Sequence, residues 1–240
     1  MVFQFKRDIK TSINPFLSKL FQGVEFSDAQ LKYSAKKQFF RYAFKTISFN
    51  KIDGDYVEFG CHGGMTFGLA WHEIQRRKII AKMWAFDSFE GLPESSDIKD
   101  KHPQWTKGNM KTSLEQFHFI CSGHGIPQDR YEAVAGYYSD TLSQLQKEAP
   151  PTNICLAYID CDMYSSTKSV LEFLMPRLKH GMIIAFDDYF WWSSEQISGE
   201  RRAMLEFFSN NNQWHLEPYL PYGWASMSFV VENRKLLEIS

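Results

Sequence analysis

Cysteine is scarce, with four in 240 residues, and Cys61, Cys121, Cys155 and Cys161 form neither a CxxC pair nor a zinc-ligand spacing. A disulfide framework and a structural zinc are therefore disfavoured, and reduced thiols in a cytoplasmic protein are expected. Long hydrophobic runs are also missing. The longest are strand-sized, short of the ~20 residues a membrane span needs, and the N-terminus lacks an uninterrupted apolar stretch with a small-residue cleavage site. No transmembrane segment and no secretion are expected. Charge of one sign is not in excess: the formal net charge is −1, so no nucleic-acid partner is indicated. Neither GxGxxG nor a Walker A loop with its lysine occurs, which argues against an NAD-linked oxidoreductase and against a P-loop enzyme. Repeats, low-complexity tracts and interdomain linkers are absent as well.

What is present suits one large α/β domain. The 44% hydrophobic content fills a core, and the 16% aromatic content exceeds what a core needs, so some rings should line a pocket. Residues 1–51 carry ten Lys/Arg against three acids, which leaves the remainder acidic. Within them, Phe5, Ile9, Ile13, Phe16, Leu17 and Leu20 recur at near-helical spacing, interrupted by Pro15. This stretch reads as an arm packing on the body or on a second subunit, hence an expected homo-oligomer. The other reading is peripheral membrane contact through residues 3–21. A second helix is predicted over residues 27–48, capped by Ser27 or Asp28, with Leu31, Ala35, Phe39, Phe40, Ala43, Phe44 and Ile47 as its apolar face and a solvated basic face.

Beyond Gly54, strands and helices alternate. Strands are predicted at 56–59, 83–86, 131–135, 153–159 and 182–186. Helices fall at 65–77 and 113–122, from about 164, and at 200–210, with a short one within 136–142 capped by Ser139 or Asp140. Two last strands, 214–219 and 226–231, read as a hairpin around residues 220–223. The alternation implies a mainly parallel sheet covered on both faces. Residues 1–51 are then a helical arm or cap, and residues 52–240 the main domain. The polar stretch from 88 to about 110 is long for a compact domain and is expected to act as a lid.

Three stretches carry chemistry. In VEFGCHGG (57–64), an acid ends the first strand, and Gly60, Gly63 and Gly64 let a ligand approach the backbone. Glu58 is a poor neighbour for phosphate and a natural one for an ammonium group; the plainer reading is a tight turn with a solvated glutamate. His62 reads as a loop histidine facing solvent or touching a ligand. In WAFD (84–87), Asp87 reads either as an acceptor for ribose hydroxyls or as a turn cap. In the third, two adjacent strands end in Asp160 and Asp162 and in Asp187 and Asp188. Asp160, Asp187 and Asp188 are hard oxygen donors suited to Mg²⁺, and crowding them without a cation would raise their pKa values. Asp162 reads as a general base or as a cap of the following helix. Tyr189, Phe190, Trp191 and Trp192 serve either a sugar face or the core.

FDSFEGLP (86–93), DCDMYSST (160–167) and the run LKHGMIIAFDDY (178–189) together resemble the macrocin O-methyltransferase family, over roughly residues 54–189 and in the family's order. The resemblance implies a class I methyltransferase fold: a Rossmann-like, seven-stranded, mostly parallel sheet with a reversed terminal hairpin. It implies S-adenosylmethionine as methyl donor, Mg²⁺ as metal and a sugar-containing small molecule as acceptor. Carried over by position, Glu58 and Gly60 would line the methionine end, Asp87 would bind ribose, and Ser139 and Asp140 would sit by the adenine. The expected cofactor-binding set is Glu58, Gly60, Gly63, Thr66, Asp87, Ser88, Ser139, Asp140 and Asp160. Asp160, Asp187 and Asp188 would hold the metal, with Asp162 as base. The family usually has glycine where this chain has Cys161, which would either narrow the site or displace Asp162. A catechol O-methyltransferase and a non-catalytic adenosine-ligand protein are the alternatives weighed.

Overall fold

The computed structural model describes residues 27–94, 97–102, 105–145, 149–209 and 211–237. The arm expected at residues 3–21, with its membrane reading, lies outside them. Helix α1 (Asp28–Phe49) starts where a capping box closes: Ser27 Oγ accepts from Gln30 N–H at 3.3 Å and Gln30 Oε1 from Ser27 N–H at 2.9 Å. Ser27 is the cap, and Asp28 sits in the first turn against the positive end of the helix dipole. The buried face of α1 is Lys36, Phe39, Phe40, Ala43, Phe44 and Ile47. Leu31, expected on that face, is 54% exposed. Its half of the helix overhangs a cavity, which Ala29, Lys32, Tyr33 and Lys36 help to line.

Strands β1 (Asp55–Phe59), β2 (Met83–Asp87), β3 (Tyr131–Ala135), β4 (Ile154–Ile159), β5 (Ile183–Phe186), β6 (Trp214–Tyr222) and β7 (Ser226–Asn233) form one sheet in the order β3-β2-β1-β4-β5-β7-β6. The first five are parallel; β7 pairs antiparallel with β5, and β6 antiparallel with β7. Helices α2 (Met65–Arg77), α3 (Leu114–Gly123), α4 (Tyr138–Thr141), α5 (Tyr164–Leu174), α6 (Gly199–Phe208) and α7 (Arg234–Leu237) complete the fold. One apolar cluster joins the sheet to α1, α2 and α3, and a second joins its other face to α5 and α6. Strand β4 is buried at every residue, because helices cover both its faces.

Chain order reverses at β1, which pairs with β2 on one side and β4 on the other. Ligands of open α/β sheets bind outside the carboxyl ends at such a switch point. There the backbones of the β1 and β4 exits nearly touch: a Cβ on Gly60, whose φ is +87°, would fall 1.8 Å from the Asp160 carbonyl oxygen. Glycine at 60 answers to that approach as much as to any ligand.

Some boundaries differ from those expected. The closing hairpin runs on past a register shift between Pro218 and Pro221, so its turn falls at residues 223–225. Tyr137 holds the N-cap position of α4 without a side-chain cap, so Ser139 and Asp140 lie inside the helix instead of capping it. The 88–110 stretch is not structureless. It contains a short 3₁₀ turn (Ile98–Asp100), a pair of backbone bonds of 2.9 Å between Leu92 and residues 108 and 109, and a buried Asp100 that accepts from Ser165 N–H at 2.9 Å. All four cysteines are buried and free. Among the described residues no helix is long and apolar enough to cross a membrane.

Candidate active site

The carboxyl ends of β1, β2, β4 and β5 open into a cavity of about 890 Å³. On its β1–β2 side the wall includes Gly60, Thr66, Asp87, Ser88 and Ser139, with His62 at the rim. His62 Nδ1 lies 3.0 Å from Thr112 Oγ1, and the ring is exposed. Asp87 does the work of a turn cap: Oδ2 accepts from Cys61 N–H and Oδ1 from Phe89 N–H, both at 2.7 Å. Burial raises its pKa, and those two N–H groups oppose the rise. A carboxylate has about four acceptor positions, so two remain for a ligand. Helix α2 begins at the same wall with no side-chain cap, its N-cap Gly64 in the left-handed region.

Three expected cofactor residues do not reach that wall. Gly63 and Asp140 are exposed and outside the cavity lining; Gly63 N–H donates to Thr112 Oγ1 at 3.1 Å, and Asp140 accepts the Ser139 hydroxyl at 3.1 Å. Glu58 is wholly buried rather than solvated. Side chains alternate along a strand, so Glu58 shares the α1–α2 face with Tyr56. The Tyr56 hydroxyl donates to Oε2 and the Thr66 hydroxyl to Oε1 at 2.6 Å. Thr66, not Glu58, is the residue at the surface of the cavity.

Burial pushes Glu58 from 4.5 up to about 7, against the opposing pull of the Thr66 and Tyr56 hydroxyls. A carboxyl with a raised folded-state value binds its proton better in the folded protein. Its contribution is therefore favourable at low pH and is lost as pH rises from 4.5 through about 7. Glu58→Gln is expected to melt higher than wild type at about pH 8, by about 2–4 °C per kcal/mol recovered. It should also flatten the fall in Tm over that window. Calorimetric melting across pH, without ligands, measures both; a lower Tm at the alkaline end would show that the charge is stabilising.

At the β4–β5 side, carboxylate oxygens of Asp160, Asp187 and Asp188 all lie within 4.8 Å of one another. Asp187 and Asp188 are buried, while the Asp160 side chain keeps 29% exposure to the cavity. Burial first, and neighbouring carboxylates second, hold the Asp160 and Asp188 carboxyls well above the usual range. Cavity solvent relieves part of this at Asp160. Burial also works to raise Asp187, but the Lys36 charge, with hydrogen bonds from Lys36 and Tyr158, outweighs it and holds that carboxyl low. Asp188 Oδ2 is buried without a hydrogen-bond partner. Three hard oxygens in one pocket, one of them orphaned, fit a divalent cation.

Asp162 reaches the cavity by a route the sequence did not indicate. Strand β4 stops at Ile159, and Asp162 sits in the left-handed region (φ 60°) with its side chain buried in the cavity wall. It does not cap α5, whose N-cap position is Met163. Burial, with Asp187 nearby, pushes its carboxyl up to about 6 against a hydrogen bond with Asp188. Cys161 is a buried residue of the lining whose thiol donates to the Phe59 carbonyl at 3.6 Å and belongs to the apolar cluster beside α5.

Two further residues hold this cluster, and neither was singled out from the sequence. Lys36 Nζ lies 2.8 Å from Asp187 Oδ2 and 3.7 Å from Asp160 Oδ2. It sits on the same stripe of α1 as Phe39, Phe40, Ala43 and Ile47; a lysine on an apolar stripe is the available signal. Glu200, wholly buried at the start of α6, accepts from Cys161 N–H at 3.0 Å and Asp188 N–H at 2.9 Å. It thereby staples the exits of β4 and β5 together. An acid in a helix's first turn is ordinary, so nothing in the sequence marks it. Ser198 Oγ donates to the Asp188 carbonyl at 2.5 Å, fixing the far end of the aromatic loop.

Of that loop, Tyr189 is core, its ring tilted against Phe186 and Phe229, while Trp191 lines the cavity. The Trp191 ring meets Trp224 at 5.8 Å and, from the 88–110 stretch, His102 at 5.6 Å. Trp192 is 59% exposed and outside the lining.

The macrocin-O-methyltransferase (TylF) family is matched over residues 34–213. The chain belongs to that family. This macrocin-O-methyltransferase family member is 30% identical over 155 residues, 62% of its length, to 8-demethyl-8-(2,3-dimethoxy-alpha-L-rhamnosyl)-tetracenomycin-C 4'-O-methyltransferase of Streptomyces olivaceus. It is 26% identical over 150 residues, 58% of its length, to demethyldecarbamoylnovobiocin O-methyltransferase of Streptomyces niveus. The matched segments span 58% and 54% of those two relatives. Among solved structures, the O-methyltransferase NovP aligns with a TM-score of 0.65 at 18% identity, over 82% of this chain and 79% of that one. The calicheamicin methyltransferase CalS11 aligns at 0.67 and 24%, over 81% and 77%. The fold is that of a class I methyltransferase.

Proposed function

We propose that the protein transfers a methyl group from S-adenosylmethionine to a hydroxyl of a sugar-bearing small molecule, with a divalent ion held by Asp160, Asp187 and Asp188. The observation that carries this reading is one cavity with two unlike walls. One is a glycine turn, an uncapped helix N-terminus and Asp87; the other is a carboxylate cluster with an orphaned oxygen. The family, and the rhamnosyl compound in the name of one relative, agree with it.

In this reading residues 52–240 hold the donor and α1 caps the acceptor side, contributing Lys32 and Tyr33 to the wall. Asp87 accepts ribose hydroxyls while its backbone bonds keep the β1 and β2 exits in register, and Ser88, Gly60, Thr66 and Ser139 shape the remainder of the donor wall. When bound, the ion makes a hydroxyl more acidic and fixes its direction. Asp162 then accepts the hydroxyl proton on its carboxylate. Tyr158 and Ser226 orient Asp187, donating to Oδ1 at 2.5 Å and to its carbonyl at 2.7 Å. Glu200 keeps the Asp160 and Asp188 tips at a fixed separation, which serves the close alignment methyl transfer requires. Trp191 and Trp224 offer a ring face to a sugar.

The test is incubation of the purified protein with methyl-labelled S-adenosylmethionine, Mg²⁺ and two acceptor panels, rhamnosides and catechols. Label should pass to rhamnosides and stop on addition of EDTA. Transfer to catechols alone would reassign the acceptor, and full transfer after verified removal of divalent ions would exclude the ion.

A further inference from the structure

Asp187, proposed above as an ion ligand, already has both oxygens engaged by the protein. Oδ2 accepts from the Lys36 ammonium at 2.8 Å and Oδ1 from the Tyr158 hydroxyl at 2.5 Å, while the Ser226 hydroxyl donates to the Asp187 carbonyl at 2.7 Å and lies 3.2 Å from Oδ1. The same ammonium stands 3.7 Å from Asp160 Oδ2. Two of the three carboxylates therefore share a cation that the chain carries itself, while Asp188 Oδ2 has no hydrogen-bond partner. This is not a surface lysine that happens to reach an acid. Its side chain is 5% exposed, and α1 is locked one turn on by Phe39 stacked against Tyr222 at 4.1 Å and Phe40 against Tyr158 at 5.3 Å. The ammonium lies 5.8 Å from the Tyr158 ring centroid, toward the ring's negative face.

We propose that Lys36 is a resident cation of the carboxylate cluster, holding its Asp160–Asp187 side so that a divalent ion binds against a built-in positive charge. The inference rests on the reading of Asp160, Asp187 and Asp188 as ion ligands. Like charges repel most strongly in a buried, low-dielectric place. The lysine therefore sets a ceiling on ion affinity that the carboxylates alone would exceed, and it keeps the empty cluster partly neutralised. Its second consequence is linkage: an ion that pushes the ammonium aside also pushes on α1, the helix that carries Lys32 and Tyr33 into the acceptor side of the cavity.

A purely structural role predicts the opposite sign. If Lys36 only braced Asp187, removing it would loosen a ligand and weaken ion binding, as loss of partners around metal ligands ordinarily does. The deciding experiment is calorimetric titration with MnCl₂ at fixed ionic strength, with donor and acceptor absent. Lys36→Met and Lys36→Gln are expected to bind Mn²⁺ about ten-fold or more tightly than wild type, and Lys36→Arg, which keeps the charge, to stay within about two-fold. Gln retains a donor for Asp187, which guards against a Met variant that fails to fold. For a variant too unstable to titrate, the rise in Tm on adding MnCl₂ is read instead and should exceed the wild-type rise. An unchanged or weaker affinity in Lys36→Gln, or an equal or smaller Tm rise, overturns the proposal. Failure of wild type and all variants to bind Mn²⁺ overturns the ion-ligand reading and this inference with it. Because no methyl transfer is measured, failure of the transferase reading alone leaves the result unaffected.

Discussion

Asp187→Ala is expected to abolish methyl transfer and to destabilise the protein at the same time. The carboxylate removed is the main partner of a buried ammonium, which would keep only Asp160 at 3.7 Å. Breaking a buried pair by deleting one member costs about 3–5 kcal/mol, since the other charge is left uncompensated. In a chain of this size that lowers Tm by on the order of 10 °C. Turnover should fall by about a thousand-fold or more, the several kcal/mol that a lost metal ligand forfeits. Donor affinity should stay within a few-fold, because Gly60, Asp87 and Ser139 sit on other strand exits. The two losses are separable. Adding Lys36→Met to Asp187→Ala removes the orphaned ammonium and should restore most of the lost Tm while leaving the enzyme inactive. Thermal melts and single-turnover assays of wild type and the two variants check this; a double variant as unstable as Asp187→Ala would show that the pair is not the source of the loss.

The second large effect is expected from Asp162→Asn: a fall of about 10²–10⁴-fold in the single-turnover rate, the range a positioned general base contributes. Mn²⁺ and donor affinities should be unchanged. Asparagine is the appropriate replacement for a backbone reason. Position 162 has φ 60°, a region asparagine tolerates better than other non-glycine residues. Alanine there would add backbone strain to the loss of the carboxylate and blur the comparison. Rapid-quench measurement with labelled donor gives the rate directly, and a wild-type rate in Asp162→Asn would exclude this residue as the proton acceptor.

The parts of the site that were legible in the sequence are those written in strand ends. Apolar runs finishing in acids mark β4 and β5, and a glycine turn marks β1, because parallel strands buried on both faces leave few other readings. What escaped was held by residues whose partners lie far along the chain. Lys36 looks solvated until its place on the Phe39–Ile47 stripe of α1 is counted, and its partner is 151 residues away. Glu200 carries no local mark, since its role exists only once two strand exits are side by side. Glu58 is buried and not solvated for a simpler reason: period-two alternation puts it on the face of Tyr56, inside the protein, although a glutamate beside glycines suggests exposure. Asp140 is a carry-over by motif, and a one-residue difference in where α4 begins is invisible to motif matching; Gly63 follows from the glycine turn, whose spacing does not say which glycine faces the cavity.

The pins at Ser198 and Glu200 have a consequence for how this scaffold can diversify. Both reach back to Asp188, one to its carbonyl and one to its amide, so residues 189–197 leave and return at nearly the same point. Such a segment is an interchangeable cassette. Beyond Tyr189, which belongs to the core, its length and ring content can drift, and with them, in the proposed reading, the choice of acceptor, while the carboxylate cluster beneath is left untouched. Grafting residues 190–197 between relatives is therefore the economical way to test whether this segment sets the acceptor.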